Sequence, residues 1–293
     1  MKQPPRILAT LLALLLLPAW AAADGSHHTL WAVHGRHNTV YLLGSVHVLR
    51  PEDSALPVEA EAAYQHARTL VLEVAVDRDF APDALRAAML AQGTLPPGRT
   101  LHAEIGDALY AQLGVRARAF GLDAAWLDGL RPWLVALLLQ QAELARAGYA
   151  AEAGVDLQLA GQAQADHKPV VGLETLEEQF GLFAHLTDAQ QRAFLAQTLA
   201  ELDELGAEAG EIVAAWRAGD TRGLEAALRK SRDESPDLFR VLTTDRNRRW
   251  LPRILALLER DEDCLVIVGA LHLVGRDGLV ALLEQRGFHP VQE

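Results

Sequence analysis

The chain has 293 residues, half of them hydrophobic, which is enough apolar material for a substantial core. It carries 39 acidic against 27 basic residues, a formal net charge of −12 at pH 7, and no basic stretch stands out, which argues against nucleic acid as a partner. Cys264 is the one cysteine, so there is no intrachain disulfide, and its place at the start of an apolar run marks it as a small buried residue.

Lys2 and Arg6 make a basic start, residues 7–17 are apolar, Pro18 breaks the run, and Ala21, Ala22 and Ala23 form a small-residue cleavage site. Eleven apolar residues are too few to span a bilayer as a helix, so residues 1–23 read as a secretory signal peptide. Without a cysteine at that site no lipid anchor is expected, and the expected address is periplasmic or secreted, with no membrane anchor after cleavage. Residues 24–293 are expected to form a single domain with helical insertions at about 77–166 and 181–260.

In chain order, 29–33 and 39–43 are strand-like runs, and His34, Gly35, Arg36, His37 and Asn38 between them read as a hairpin turn. Residues 58–67 predict a helix with Glu59 and Glu61 in its first turn, and 69–74 predict a strand that carries Glu73 in an otherwise apolar run. A helix is expected over 81–91 and a loop over 93–98, with two prolines and two glycines. From 101 to 166 the pattern is helical nearly throughout. One long helix starts at Arg131, Pro132 and Trp133, with Pro132 suited to the first turn, and another opens at Gly154, Val155 and Asp156. Residues 169–172 predict a short strand, followed by Glu174 and Thr175. Residues 187–232 read as helical with breaks at Gly206, Gly210 and Gly219, and 236–260 hold one or two more helices. A strand at 265–268, a helix at 277–285 and a short strand at 288–291 complete the chain. Strands alternating with helices predict an α/β fold: a mixed, mostly parallel sheet flanked by helices.

One pattern occurs twice. Each copy is an apolar run, then Gly, two residues, then His: Gly44 to His47 after the second strand, and Gly269 to His272 after the last long one. The glycine lets the backbone leave the strand, or lets another group approach it, and the histidine falls just past the strand end. Glu73 ends another strand and Glu174 follows a fourth. Ligands in open α/β sheets bind beyond the carboxyl ends of strands. Two imidazoles and two carboxylates delivered there suit a divalent metal such as Zn, Mn, Co or Fe, and a bound metal makes a nucleophile of water near neutral pH.

Each residue also has a plain structural explanation. Glu73 would pair with an arginine, for which Arg246 is a candidate, because a buried carboxylate is costly unless compensated. Glu174 would favour the helix that Thr175 caps with Glu178, and Asp156 would be a first-turn acid. Arg131 and Arg246 would be surface charges; within a site, Arg246 would stabilise negative charge on an intermediate. Ser45 lies inside the first copy, but the second has Ala270 there, so Ser45 reads as packing or support rather than nucleophile. His27, His28, His34 and His37 cluster near the mature N-terminus and read as surface residues or adventitious metal binders.

With Leu43 to His47, Leu72-Glu73, Arg131-Pro132-Trp133, Gly154-Val155-Asp156, Gly172 to Thr175 with Gln179, Arg246-Asn247 and Val268 to Gly275 with Asp277-Gly278-Leu279, the chain resembles the TraB/PrgY/GumN family. The TIKI branch of that family comprises metal-dependent proteases. The resemblance implies an α/β core related to erythromycin-esterase-like and haem-binding ChaN-like folds, and a hydrolase site built from His47, Glu73, Arg246 and His272. Trp250 departs from the family pattern, in which relatives often carry Met. Three functional expectations follow. The first is a metal-dependent hydrolase acting on a peptide or small molecule, with His47, His272 and Glu73 or Glu174 on the metal, a free carboxylate as base, and Arg246 at the oxyanion. The second is a metal-free esterase or amidase using a His–Glu pair. The third is a non-enzymatic periplasmic protein that binds haem or a peptide.

Overall fold

The computed structural model describes residues 28–75 and 82–293. The expected signal peptide and His27 lie outside the described residues.

Six strands form one sheet: β1 (Leu30–His34), β2 (Thr39–Ser45), β3 (Thr69–Val74), β4 (Val170–Glu174), β5 (Cys264–Gly269) and β6 (Val291–Gln292), in the order β4-β3-β5-β2-β1-β6. The four strands from β4 to β2 run parallel, while β1 is antiparallel to both β2 and β6. The expected mixed, mostly parallel sheet is therefore present. β5 is fully apolar up to its final glycine because both its faces are covered, as parallel strands require. The β1–β2 turn closes with Gly35 N–H on Asn38 O at 2.9 Å. The buried Asn38 amide then donates to Leu257 O and Glu262 O, each at 2.9 Å, and fixes the hairpin to the end of a distant helix.

Helices fill the connections. α1 (Val58–His66) lies between β2 and β3. Between β3 and β4 come α2 (Pro82–Gly93), α3 (Leu101–Ile105), α4 (Asp107–Ala119), α5 (Ala124–Leu127), α6 (Pro132–Arg146) and α7 (Val155–Ala165). Between β4 and β5 come α8 (Leu176–Ala184), α9 (Asp188–Glu201), α10 (Leu205–Arg217), α11 (Thr221–Glu234), α12 (Pro236–Phe239) and α13 (Asp245–Leu258), and α14 (Leu279–Glu284) follows β5. No described helix is long and apolar enough to cross a membrane.

The apolar residues gather in two clusters. One is centred on the sheet and takes in Leu42, Leu72, Val266 and Trp250; the other lies among helices and takes in Leu101, Trp133, Leu139 and Leu195. Trp133 stacks on Phe183 with centroids 5.4 Å apart, joining α6 to α8.

Several boundaries differ from those expected. The stretch 101–166 holds five α-helices; the two expected to open near 131 and 154 are α6 and α7, and three more, with caps at Thr100 and Asp123 among them, precede α6. Gly206 and Gly210 do not break the helix; α10 runs through both. A Cβ at Gly206 would stand 3.0 Å from Ala147 Cβ, so the missing side chain permits a close approach to the end of α6. The breaks fall at residues 202–204, just before α10, and at Gly219, with φ of 60°. Glu174 belongs to β4 itself rather than following it.

Candidate functional site

The strand register explains why distant residues meet. β2 and β5 are adjacent and parallel, with Gly44 opposite Val268 and Ser45 opposite Gly269, so the two Gly-x-x-His segments leave the sheet side by side. β3 lies on the other side of β5, and β4 beyond it, with Val74 opposite Glu174. The carboxyl ends of four neighbouring strands thus deliver His47, His272, Glu73 and Glu174 to one rim.

Arg246 is the hub. A π-turn, Arg240–Thr244, leads into α13, and irregular turns of that kind recur at functional sites. Arg246 Nη2 donates to Glu73 Oε2 at 2.5 Å and to Glu174 Oε1 at 2.6 Å, and Nε donates to Glu174 Oε2 at 3.4 Å. The guanidinium lies 4.4 Å from the Trp250 ring centroid, and Trp250 Nε1 donates to Glu174 Oε2 at 3.2 Å. Glu73, Glu174, Arg246 and His272 are all buried, at 6–7 % exposure. The pairing anticipated as the plain explanation of Glu73 is therefore real. Glu174 has both oxygens committed to Arg246 and Trp250, so the structure places it as a holder of the guanidinium rather than as a free base. Thr175 caps α8 with Glu178, as the sequence suggests.

The two imidazoles are oriented from behind. Asn247 gives its amide N–H groups to His272 O at 3.2 Å and Asp277 O at 2.8 Å, which turns its Oδ1 to accept from His272 Nδ1–H at 2.6 Å. His272 Nε2 then faces Arg246 Nη1 at 3.2 Å. Asp156, in the first turn of α7, accepts from His47 Nδ1–H at 2.8 Å and from the Ser45 hydroxyl at 2.8 Å. Asp156 is thus more than a first-turn acid, and Ser45 is its support. α7 approaches closely because Gly154 has no side chain: a Cβ there would collide with the His47 carbonyl. Gly44 is fixed on both sides, its N–H on Thr29 O at 2.6 Å and its carbonyl accepting from Trp216 Nε1 at 2.7 Å.

Electrostatics separate the groups. Burial acts to raise the Glu73 carboxyl, but Arg246, His272, His47 and the Gly269 N–H (2.8 Å from Oε1) outweigh it and hold it down at about 2. Burial lowers His272 to about 3, with Arg246 and His47 adding to the effect and Glu73 opposing it, so its ring is neutral. Asp156 raises His47 to about 9. The His47 side chain is 62 % exposed, so solvent screens part of that attraction.

These donors can be tested against a divalent ion. A Cβ built on Gly269 would meet His47 Nε2 at 3.4 Å, Glu73 Oε1 at 3.5 Å and His272 Cδ2 at 3.6 Å, so two candidate donor atoms and the edge of the His272 ring border one small space that the glycine leaves open. Both rings are tied at Nδ1, the way ligating histidines are held; Nε2 is left over on His47, whereas His272 Nε2 lies 3.2 Å from Arg246 Nη1. Glu73 and Glu174 are paired with the Arg246 guanidinium, and Asp156 with His47. The donor types are ones that a divalent ion takes. Arg246 keeps the donors spread around the space, and among the described residues no three His, Cys, Asp or Glu groups close on a point.

Arg131 is the candidate that these bonds do not gather in. It caps α6, gives its backbone N–H to Gly93 O at 2.7 Å, and buries an Nε with no hydrogen-bond partner among the described residues. Trp216 carried no sequence signal of its role, and Trp250 was visible only as an unusual residue at its position.

A parallel-sheet rim that holds a buried guanidinium between two carboxylates, with two oriented imidazoles beside it, defines an α/β protein with a charged centre at the carboxyl ends of its strands. The chain belongs to the TraB/PrgY/gumN family, whose model matches residues 29–292 and so takes in every residue of this centre. It is similar, at 27 % identity over 269 residues, to the uncharacterized protein YbaP of Shigella flexneri and to that of Escherichia coli (strain K12), covering 90 % of this chain and 96 % of each relative. No solved structure matches.

Proposed function

We propose that the chain is a secreted or periplasmic metal-dependent hydrolase acting on a peptide or small-molecule substrate. The observation that carries this reading is the space beside Gly269, bordered by His47 Nε2, the His272 ring and Glu73 Oε1 with both imidazoles anchored at Nδ1. His47, His272 and Glu73 would hold the ion, whether Mn, Co, Zn or Fe, and it would supply Lewis acidity there. Asp156 holds the His47 ring with Nε2 bordering the space, and Asn247 holds the His272 ring with Nε2 against Arg246 Nη1. Glu73 is fixed by Gly269 N–H, and a carboxylate not bound to the ion would take the proton that leaves an attacking water. Arg246 Nη1 faces the same space from the His272 side and steadies negative charge as it develops on the substrate oxygen. Glu174 and Trp250 fix that guanidinium so that it need not reorganise during the reaction.

A second reading has its own support. Arg246 Nη1 already lies 3.2 Å from His272 Nε2, and His47 holds its proton at neutral pH, which suits a metal-free His/Glu esterase or amidase. Assays on peptide and ester substrates, with chelator and then with each metal restored, separate the two. Activity that survives full chelation but is lost in Glu73→Gln selects the metal-free mechanism. The single-domain reading, with a signal peptide removed after Ala23, belongs to the same proposal; the mass of the exported protein tests it.

A further inference from the structure

A cleft of 1090 Å³ lies among α9, α10, α11 and α12, apart from the charged centre but touching it at one place. That place is Leu271, the residue before His272. One wall is α10, which is tied to the other Gly-x-x-His segment by Trp216 Nε1 on Gly44 O at 2.7 Å.

Its walls are apolar, with Phe194, Leu205, Ile212, Ala215 and Leu238 beside Leu271. Its charge is one-sided. Glu201, Glu208, Glu211, Asp220 and Glu234 line it against one lysine, Lys230. Lys230 is itself engaged by Glu208 and, at 3.9 Å, by Glu234. Asp220 serves the first turn of α11, accepting from Arg222 N–H and Gly223 N–H at 3.1 Å each. Burial raises the Glu201 carboxyl, and Glu234 and Glu208 raise it further, so a positive group entering the cleft would relieve it.

We infer that this cleft binds a peptide segment that carries both apolar and basic side chains and leads it to the His272 side of the centre. The volume exceeds what a drug-sized ligand needs and has room for several side chains. The excess of carboxylates excludes nucleic acid and anionic lipid and complements lysine or arginine. This deepens the hydrolase reading and rests on it for what happens after binding, though binding can be measured alone.

The test is fluorescence anisotropy on the full mature chain with two labelled ten-residue peptides, one alternating Leu and Lys, the other Leu and Glu. The Leu/Lys peptide is expected to bind and the Leu/Glu peptide not to. Glu201→Gln with Glu211→Gln should weaken binding at least tenfold, whereas the matched change at two exposed glutamates outside the cleft, Glu52→Gln with Glu152→Gln, should leave it within twofold. Ala227→Trp, which fills the cleft, should abolish binding; if that variant fails to fold, the glutamine pairs still decide. Equal binding of both peptides, or equal weakening by both glutamine pairs, overturns the inference. Binding that depends on the cleft but leads to no cleavage leaves the inference standing and removes the hydrolase reading. Cleavage unaffected by the cleft variants does the reverse.

Discussion

Replacing Arg246 with methionine keeps the bulk of the side chain and removes its charge. The guanidinium is 7 % exposed and lies 2.5 Å from Glu73 and 2.6 Å from Glu174, which are buried to the same degree. At an effective dielectric of 20, each contact contributes about 4 kcal/mol of attraction, set against the cost of keeping the arginine out of water. Breaking a buried pair from one side typically costs about 3–5 kcal/mol, because the orphaned charge remains. Here two carboxylates are orphaned, and they repel each other. Arg246→Met should therefore lose about 3–5 kcal/mol in urea denaturation at pH 7, and less at pH 5, where one carboxylate regains a proton. Adding Glu174→Gln should return about 1–2 kcal/mol of that loss, since it removes one orphan. A cost below about 1 kcal/mol for Arg246→Met, or a second substitution that only adds to the damage, would refute the idea that this arginine holds the two acids together.

In chelated protein, stability should peak near pH 6.5. His272 titrates at about 3 in the fold against 6.5 unfolded, so the unfolded chain takes that proton first and stability falls as pH drops below 6.5. Glu73, at about 2 against 4.5, adds a further loss between pH 4.5 and 2. His47, at about 9 against 6.5, acts oppositely: its contribution is complete below pH 6.5 and is lost as pH rises through 9. A Tm that keeps climbing from pH 6.5 to 9 would contradict this assignment. Asp156→Asn should lower the His47 pKa by at least one unit in an NMR titration and leave His272 unmoved; an unchanged His47 would show that Asp156 does not set it. Gly269→Ala meets only ordinary contact distances, so it should fold with less than about 1 kcal/mol lost, yet its methyl enters the space between His47, Glu73 and His272, and turnover should fall at least a hundredfold. Wild-type turnover in that variant would remove this space from the mechanism.

The doubled Gly-x-x-His was legible because each copy ends an apolar run of strand length, and strand ends are where α/β sheets place polar work. That β2 and β5 are neighbours was not legible, since strand order depends on how the thirteen intervening α-helices pack rather than on any local pattern. Asp156 looked like a helix-start acid because it is one; only the approach of α7 to the His47 segment gives it a second role. Glu174 offered the same residue type as Glu73, but the arginine and tryptophan that take up its oxygens come from α13, more than seventy positions away. Gly206 and Gly210 read as breaks on propensity alone, and contact between α10 and the end of α6 overrode it.

The account stands on what occupies the space between the two histidines. The direct measurement is the metal content of purified wild-type protein by mass spectrometry, beside His47→Ala and His272→Ala, with hydrolysis followed before and after chelation. The account predicts close to one divalent ion per wild-type chain, none in either variant, and activity that vanishes with chelator and returns with metal. A wild-type protein that keeps full activity after every ion has been stripped would contradict it.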